Sequence, residues 1–324
     1  MLDRWNASLE EGKSLITKMP RIGAILVTII CSALLAAGCG SSDNSSSSDT
    51  GTSSAGGSGA ATTTKVDQKV VALVPSSVKS KGTLTVATAP SSPPNEYVGK
   101  DGKTVEGMDA DLGKALAGVM GLRANVVRAT FDAIIPGLAS GKYDLGMSSF
   151  TDTKEREQTV DFVTYFIAGT SFFVRAQGGP TINTLADLCG HQVAAASGTT
   201  QATDATAQSK KCKAAGKPGV TVSVFPNQNG ANLALSSGRA DVGMTDSPLA
   251  AYEVKQSNGQ FKLVGQTYGT APYGIAMPKD NGMAKPVLAG VKALMANGQY
   301  KAILAKWGIS SGAITNSQIN GATS

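Results

Sequence analysis

Apolar and polar positions along this chain follow two rhythms. Residues 83–87 read Thr-Leu-Thr-Val-Ala, with apolar side chains at alternate places, the pattern of a strand with one buried face. Residues 109–120 set Leu112, Leu116 and Val119 three and four apart, the spacing of a helix that turns one stripe to a core. A short helix over residues 66–78, ending at Lys81-Gly82, precedes the first strand, and Pro93-Pro94-Asn95 breaks the chain after it. A short strand at 125–127, a helix at 131–140 and a strand at 143–147 follow. Such alternation predicts a mainly parallel sheet flanked by helices. Strands at 171–175 and 273–277 bracket a separate α/β block and would carry the chain out to a second lobe and back. Residues 284–307 make a helical close, interrupted at Asn297-Gly298.

One unit recurs. Leu138-Ala139-Ser140-Gly141-Lys142-Tyr143-Asp144-Leu145-Gly146-Met147-Ser148-Ser149 is echoed by Leu235-Ser236-Ser237-Gly238-Arg239-Ala240-Asp241-Val242-Gly243-Met244-Thr245-Asp246. Helix end, Ser-Gly-basic turn, Asp, strand and polar terminus fall in register, so Ser149 and Asp246 are expected at equivalent strand ends. Ligands of open α/β sheets collect beyond the carboxyl ends of strands. Two such ends, one per lobe, would line a cleft with hydroxyls on one side and a carboxylate on the other.

The chain before this body is of another kind. Residues 22–37 (IGAILVTIICSALLAA) form an apolar run behind Arg21. The run is too short and ends too abruptly for a membrane-crossing helix, and reads as the hydrophobic region of an export signal over residues 1–38. Leu35-Ala36-Ala37-Gly38-Cys39 resembles a bacterial lipobox, whose cysteine carries a thioether-linked diacylglycerol and becomes the mature N-terminus. The usual pattern has Leu three residues before the cysteine, where Ala36 stands here. Residues 1–18 are polar for a signal, and Met19-Pro20-Arg21 would make a conventional start, so Met1 and Met19 are both candidate initiators. From 39 to 64 the chain is expected to be a tether. Its residues 41–64 are almost wholly Ser, Gly, Thr, Ala and Asp/Asn and cannot offset chain entropy by burial. The expected location is the outer face of the cytoplasmic membrane, with Cys39 as the lipid anchor.

Composition narrows the partners. The 324 residues are 41% hydrophobic, enough for two lobes of ordinary size. The formal charge is +6, or +5 without residues 1–38, and no Lys/Arg run is interleaved with aromatics. A nucleic-acid partner therefore has no local support. Cys31 lies in the leader and Cys39 in the lipobox-like run, which leaves Cys189 and Cys212. An even pair in an exported domain predicts a disulfide. A metal pair would lack ligands, since loop-like Cys-Gly-His-Gln holds the single histidine, His191. No metal and no cofactor is expected.

A series of short runs resembles the family-3 extracellular solute-binding proteins, the polar amino-acid receptors of ABC importers. They are Gly107-Met108-Asp109-Ala110-Asp111-Leu112, residues 138–144, and Thr151-Asp152-Thr153-Lys154-Glu155-Arg156 through Asp161-Phe162. Ser197-Gly198-Thr199-Thr200, Ser237-Gly238-Arg239-Ala240-Asp241, Thr245-Asp246-Ser247 and Asn297-Gly298-Gln299-Tyr300 continue them, so the likeness spans about residues 80–308. The resemblance implies an α/β, two-lobed periplasmic-binding-protein-like fold of type II, each lobe a mainly parallel sheet flanked by helices. Lobe 1 would comprise 65–170 plus 272–324, and lobe 2 would comprise 171–271. A monomer working with ABC permease subunits and a small-molecule ligand, an amino acid, is implied.

The resemblance also implies roles. Arg156 matches the arginine that grips a ligand α-carboxylate, a task that suits a guanidinium fork. Ser149 and Thr151 match the loop that completes the carboxylate pocket, and Thr153 is placed to cap the helix bearing Arg156. Gly198 and Thr200 match ligand-contacting positions of the second lobe, and Asp246 matches the carboxylate that receives the ligand ammonium. Phe131 matches the aromatic that packs on the ligand side chain. Ser92 stands where many relatives have an aromatic, with Tyr97 nearby as a substitute. Ala89 stands where relatives that prefer basic amino acids carry an acid, which argues against lysine, arginine or histidine unless Glu96 reaches the side-chain pocket.

Other readings are available for the same residues. Arg156 could pair on the surface with Glu155 or Glu157, Asp246 could cap a helix before Ser247-Pro248, and Phe131 could belong to the core. A dehydratase acting on a prephenate-like acid shares the fold, but only Glu96 offers a spare acid, and one histidine disfavours a Ser-His-Asp device. Residues 137–142 are one residue short of a phosphate loop and are followed by Tyr143. A sensory domain would need a spanning helix after Trp307, and residues 307–324 contain none.

Overall fold

The computed structural model describes residues 64–323. The export signal, Cys39 and almost all of the tether lie outside the described residues. Eleven strands are present among those described: β1 (Thr83–Thr88), β2 (Ser91–Ser92), β3 (Glu96–Val98), β4 (Val105–Glu106), β5 (Arg123–Arg128), β6 (Leu145–Gly146), β7 (Val160–Arg175), β8 (Gln192–Ala196), β9 (Thr221–Phe225), β10 (Val242–Asp246) and β11 (Phe261–Pro278). Eight of them form one sheet in the order β5-β1-β6-β11-β7-β10-β8-β9, and β2-β3-β4 form a small second sheet.

The two ends of the large sheet are parallel triplets, β5-β1-β6 in the first lobe and β10-β8-β9 in the second. Between them β7 and β11 run antiparallel to each other. They are 16 and 18 residues long. At about 3.3 Å per residue, each reaches through both lobes. The strands expected at 171–175 and 273–277 are thus stretches of two continuous strands, and these join the lobes' sheets into one ladder. Phe162, Val163, Tyr165, Phe166, Phe172, Phe173 and Val174 of β7 are all at most 1% exposed, as a strand covered on both faces requires.

The predicted helical stripe is the core of the first lobe. Leu112, Leu116 and Val119, on the helix Met108–Val119, pack with Leu84, Ile275, Val287 and Leu294. In the second lobe Phe172, Val174, Val193, Val242 and Met244 form a core of their own. Cys189 and Cys212 are joined, tying the chain before β8 to the helix Thr200–Ala214.

Some boundaries differ from expectation. The helix predicted at 66–78 is two short helices, Gln68–Leu73 and Ser76–Lys81. Pro75 crowds the backbone before it and holds Val74 extended at φ −66°, ψ 132°. The strand predicted at 143–147 is only Leu145–Gly146. Tyr143 packs on Gly137 of the preceding helix instead, and the chain leaves the sheet toward Ser149, whose φ is 54°. The final helical region does break as predicted, into Ala284–Ala296 and Gln299–Lys306, with Gly298 at φ 82°.

The sequence echo proves structural. Gly141 and Gly238 both take positive φ, 73° and 76°, to turn from helix to strand. The following aspartates then clamp the neighbouring strand in the same way. Asp144 Oδ2 accepts the Thr85 N–H at 2.6 Å and Asp241 Oδ2 accepts the Gln192 N–H at 2.9 Å. In return the backbone N–H groups of Asp144 and Asp241 donate to the Thr85 and Gln192 carbonyls. The two copies diverge at their ends, since β10 runs as far as Asp246 whereas β6 stops three residues before Ser149.

Candidate ligand-binding site

A cavity of about 290 Å³ opens where the carboxyl ends of β1, β6, β8 and β10 meet across the two lobes. Arg156 and Asp246 both line it, with Ser92, Phe131, Ser149, Thr151 and Thr200 from the expected set. Gly198 lies beside it, next to Thr199.

Arg156 is carried by the single helical turn Lys154–Glu157. As the sequence suggests, Thr153 caps that turn by accepting the Arg156 N–H at 3.2 Å. The guanidinium lies 5.6 Å from the Phe131 ring centre and 5.5 Å from that of Phe150, and those two rings stack at 4.4 Å. It donates through Nη1 to the Thr151 carbonyl at 2.7 Å and through Nη2 to the Gly198 carbonyl at 2.9 Å. It makes no ion pair with Glu155 or Glu157, and burial lowers its pKa while Asp246 opposes that shift. Phe131 is half-buried against Phe150 and also faces the cavity.

Asp246 ends β10 and precedes a helix, yet its carboxylate makes no capping bond. It accepts instead from the Tyr273 hydroxyl at 2.7 Å and from Gln201 Nε2 at 2.7 Å. Burial pushes its pKa up to about 6, against the lowering effect of these donors and of Arg156. Gly198 takes φ 74°, and a Cβ there would stand 3.0 Å from the Cβ of Asp132, so only glycine fits where the lobes touch. Beside it Ser197 donates to Asp132 Oδ2 at 2.9 Å, and on the opposite rim the Gln228 N–H reaches Ser91 Oγ at 3.4 Å. With the Arg156–Gly198 bond, these join the two lobes around the cavity.

Ser149 lines the cavity, and its amide and hydroxyl are engaged within the first lobe. Its N–H donates to Asp109 Oδ2 at 2.7 Å, and its hydroxyl lies between Glu96 Oε2, Asp109 Oδ2 and Asn95 Nδ2. Its amide and hydroxyl therefore face two buried acids and Asn95. Glu96 also lines the cavity, 2% exposed, and burial together with Asp109 raises its pKa well above the ordinary carboxylate range. Tyr97 does not fill the space left by Ser92. Its hydroxyl bonds Glu106 Oε2 at 3.1 Å and its ring meets Trp307 edge-on at 5.9 Å. His191 lies away from the cavity, with Nδ1 3.8 Å from Asp241.

Gln201, Tyr273 and Gln228 were not foreseen. Gln201 directly follows the Ser-Gly-Thr-Thr run, which was a usable signal. Nothing local sets Tyr273 apart from the rest of its strand, because its hydroxyl reaches a residue 27 positions away.

Bacterial extracellular solute-binding proteins, family 3, match the chain over residues 84–310. An arginine-binding protein of Corynebacterium glutamicum is 32% identical over 253 residues, covering 78% of this chain and 83% of that protein. Among solved structures, an ancestral arginine-binding protein bound to arginine is 37% identical with a TM-score of 0.64, covering 70% of this chain and 98% of that one. An ancestral amino acid-binding protein described as a precursor of cyclohexadienyl dehydratase is 33% identical with a TM-score of 0.62, covering 71% and 97%.

Proposed function

The chain belongs to the family 3 bacterial extracellular solute-binding proteins, and on that premise we propose that it is the substrate receptor of an ABC importer. It is a binding protein, not an enzyme, that closes on an α-amino acid and presents it to a membrane permease. The observation that carries this reading is the placement of Arg156 and Asp246, from opposite lobes, on one cavity. A guanidinium matches an α-carboxylate and a carboxylate matches an ammonium, and a buried ammonium needs such a counter-charge. At about 290 Å³ the cavity lies near the lower limit of small-molecule sites, roughly 300–1,000 Å³, which suits one amino acid.

Lobe 1 comprises residues 65–170 plus 272–324 and lobe 2 residues 171–271 in this reading. The hinge lies where β7 and β11 cross between them, and the pairing register of β11 shifts between Val264 and Tyr268 and again between Tyr268 and Ala271. A ligand held from both sides adds affinity only in the closed form and so shifts the population toward closure. Ser149, Thr151, Thr200, Gly198, Phe131 and Ser92 complete the walls. The protein acts as a monomer, tethered by a lipid on Cys39 at the outer face of the cytoplasmic membrane. Fatty-acid labelling that persists in Cys39→Ala would refute the anchor.

L-arginine is the first candidate ligand. The relatives named for arginine support it; the Glu96 carboxyl in the cavity wall, whose pKa is raised, offers a hydrogen-bond acceptor there and not the charge missing at Ala89. A thermal-shift screen of the common amino acids at pH 7.5, followed by calorimetry, tests both levels of the reading. L-arginine is expected to give the largest shift, and no shift with any α-amino acid would sink the receptor reading. The pH dependence carries a definite sign. An ammonium needs Asp246 ionised, so affinity is expected to be flat above about pH 6 and to fall up to tenfold per unit below it. The unliganded fold behaves oppositely. A carboxyl whose folded pKa lies above its unfolded value of 3.8 stabilises the fold most at low pH, and that contribution is lost as pH rises toward 6.

A further inference from the structure

Arg156 stands on one turn of helix, which has almost no stability of its own. Its position must come from whatever holds its flanks. Two acids bracket it. Asp152 is fully buried and its Oδ2 accepts the Gly321 N–H at 2.8 Å. Glu157 Oε1 accepts the Ala322 N–H at 3.1 Å. Both donors belong to the segment that follows the last helices and runs back along β7.

That segment is well fastened. The Ile314 N–H donates to the Tyr300 hydroxyl at 2.8 Å, and Ser317 Oγ donates to the Thr164 carbonyl at 2.6 Å. The Thr164 N–H donates to the Gln318 carbonyl, and the Asn320 N–H to the Phe162 carbonyl. Asn320 Oδ1 accepts the Phe162 N–H at 2.8 Å, and Val163 bridges Ile319 in antiparallel fashion. Residues 160–168 of β7 pair with β11 on one side, whereas β10 pairs only with residues 170–174. The segment therefore covers an edge the sheet leaves open.

Asp152 also couples to the site through its own backbone. Its N–H donates to the Pro272 carbonyl at 2.9 Å, and its neighbour Thr151 supplies the carbonyl that holds Arg156 Nη1. Asp152 Oδ1 has no donor among the described residues. Burial and the adjacent Glu157 push the Asp152 carboxyl up to about 7, so a proton shared between the two acids answers that need.

We propose that residues 314–322 form a strap that positions Arg156, with Asp152 as the positioning residue through which the strap sets ligand affinity. The inference rests on Arg156 being the grip for the ligand carboxylate. Two parallel hydrogen bonds to a planar group tolerate only about half an ångström of misplacement, so loosening the turn weakens binding without removing any contact group.

The test combines hydrogen exchange and calorimetry on the full chain and its variants, with L-arginine as the probe. Asp152→Ala is expected to lose protection over residues 151–158 and to weaken L-arginine binding about tenfold. Asp152→Asn keeps the acceptor for Gly321, gains a donor for Glu157, and is expected to restore affinity to within about twofold. A chain stopped after Ala313 bares the edge of β7 and can fail to fold. Ala322→Pro deletes one N–H at a half-buried position and is expected to raise exchange at the same turn. Lowered melting temperatures with unchanged affinity in Asp152→Ala would overturn the proposal, because a purely structural strap predicts that. Should the unmodified chain bind no L-arginine, the arginine assignment fails. Unchanged exchange over 151–158 in Asp152→Ala and Ala322→Pro would then overturn the strap on its own terms.

Discussion

Arg156→Ala is expected to weaken binding of the amino-acid ligand by roughly two to four orders of magnitude. Removing one partner of a buried ion pair leaves the other charge unpaired, at a cost of about 3–5 kcal/mol, and 1.4 kcal/mol corresponds to tenfold. The structure adds two reasons for a large effect. The guanidinium rests over the Phe131 and Phe150 rings, so its removal also opens a gap beside the cavity. It also bonds the Gly198 carbonyl on the second lobe, so part of the loss falls on closure. Asp132→Ala separates the two contributions, since it removes the neighbouring inter-lobe bond, from Ser197, and leaves Arg156 in place. If closure dominates, both variants lose affinity comparably. If carboxylate recognition dominates, Asp132→Ala loses about tenfold or less while Arg156→Lys remains far below the parent, because a point charge cannot reproduce the fork. Near-normal affinity in Arg156→Ala, measured calorimetrically, would end the assignment.

How much of this was legible in the sequence depends on how local the cause is. The helix Met108–Val119 and the break at Gly298 were readable, because periodicity and a glycine act within a few residues. The echo around Asp144 and Asp241 was readable for the same reason, as the turn, the aspartate and the strand start are one contiguous unit. It also located Asp246 correctly at the end of β10. The fate of Ser149 was not readable. Its positive φ and its commitment to Asp109 and Glu96 arise from residues 40 and 53 positions away, which no local pattern couples. The same holds for Tyr97, drawn off toward Trp307, and for the continuity of β7 and β11. The register between them shifts from Val264 to Tyr268 and from Tyr268 to Ala271 before pairing resumes, and no local pattern across those residues marks one strand.

The Cys189–Cys212 bond is expected to account for roughly 3 kcal/mol of the fold's stability, through the chain entropy it removes from the unfolded state by closing a loop with a sequence separation of 23. For a folded body of this size, that corresponds to a fall in melting temperature of about 6–12 °C when the bond is reduced. The bond lies in the second lobe, between the chain just before β8 and the helix that begins with Thr200, so its loss acts first on that lobe. The first lobe has a separate core around Leu112, Leu116 and Ile275, and its amides are expected to keep most of their protection. Gln201 stands on the same helix as Cys212 and holds Asp246, so loosening the helix also relaxes the Asp246 side of the cavity. Ligand affinity should therefore drop modestly, by a few-fold, while the Arg156 side stays in place. Thermal unfolding of the Cys189→Ala/Cys212→Ala double variant, beside the parent with and without reductant, checks this. Coincident melting curves for all three would show that the bond contributes nothing, and equal loss of protection in both lobes would show that they unfold as one unit rather than separately.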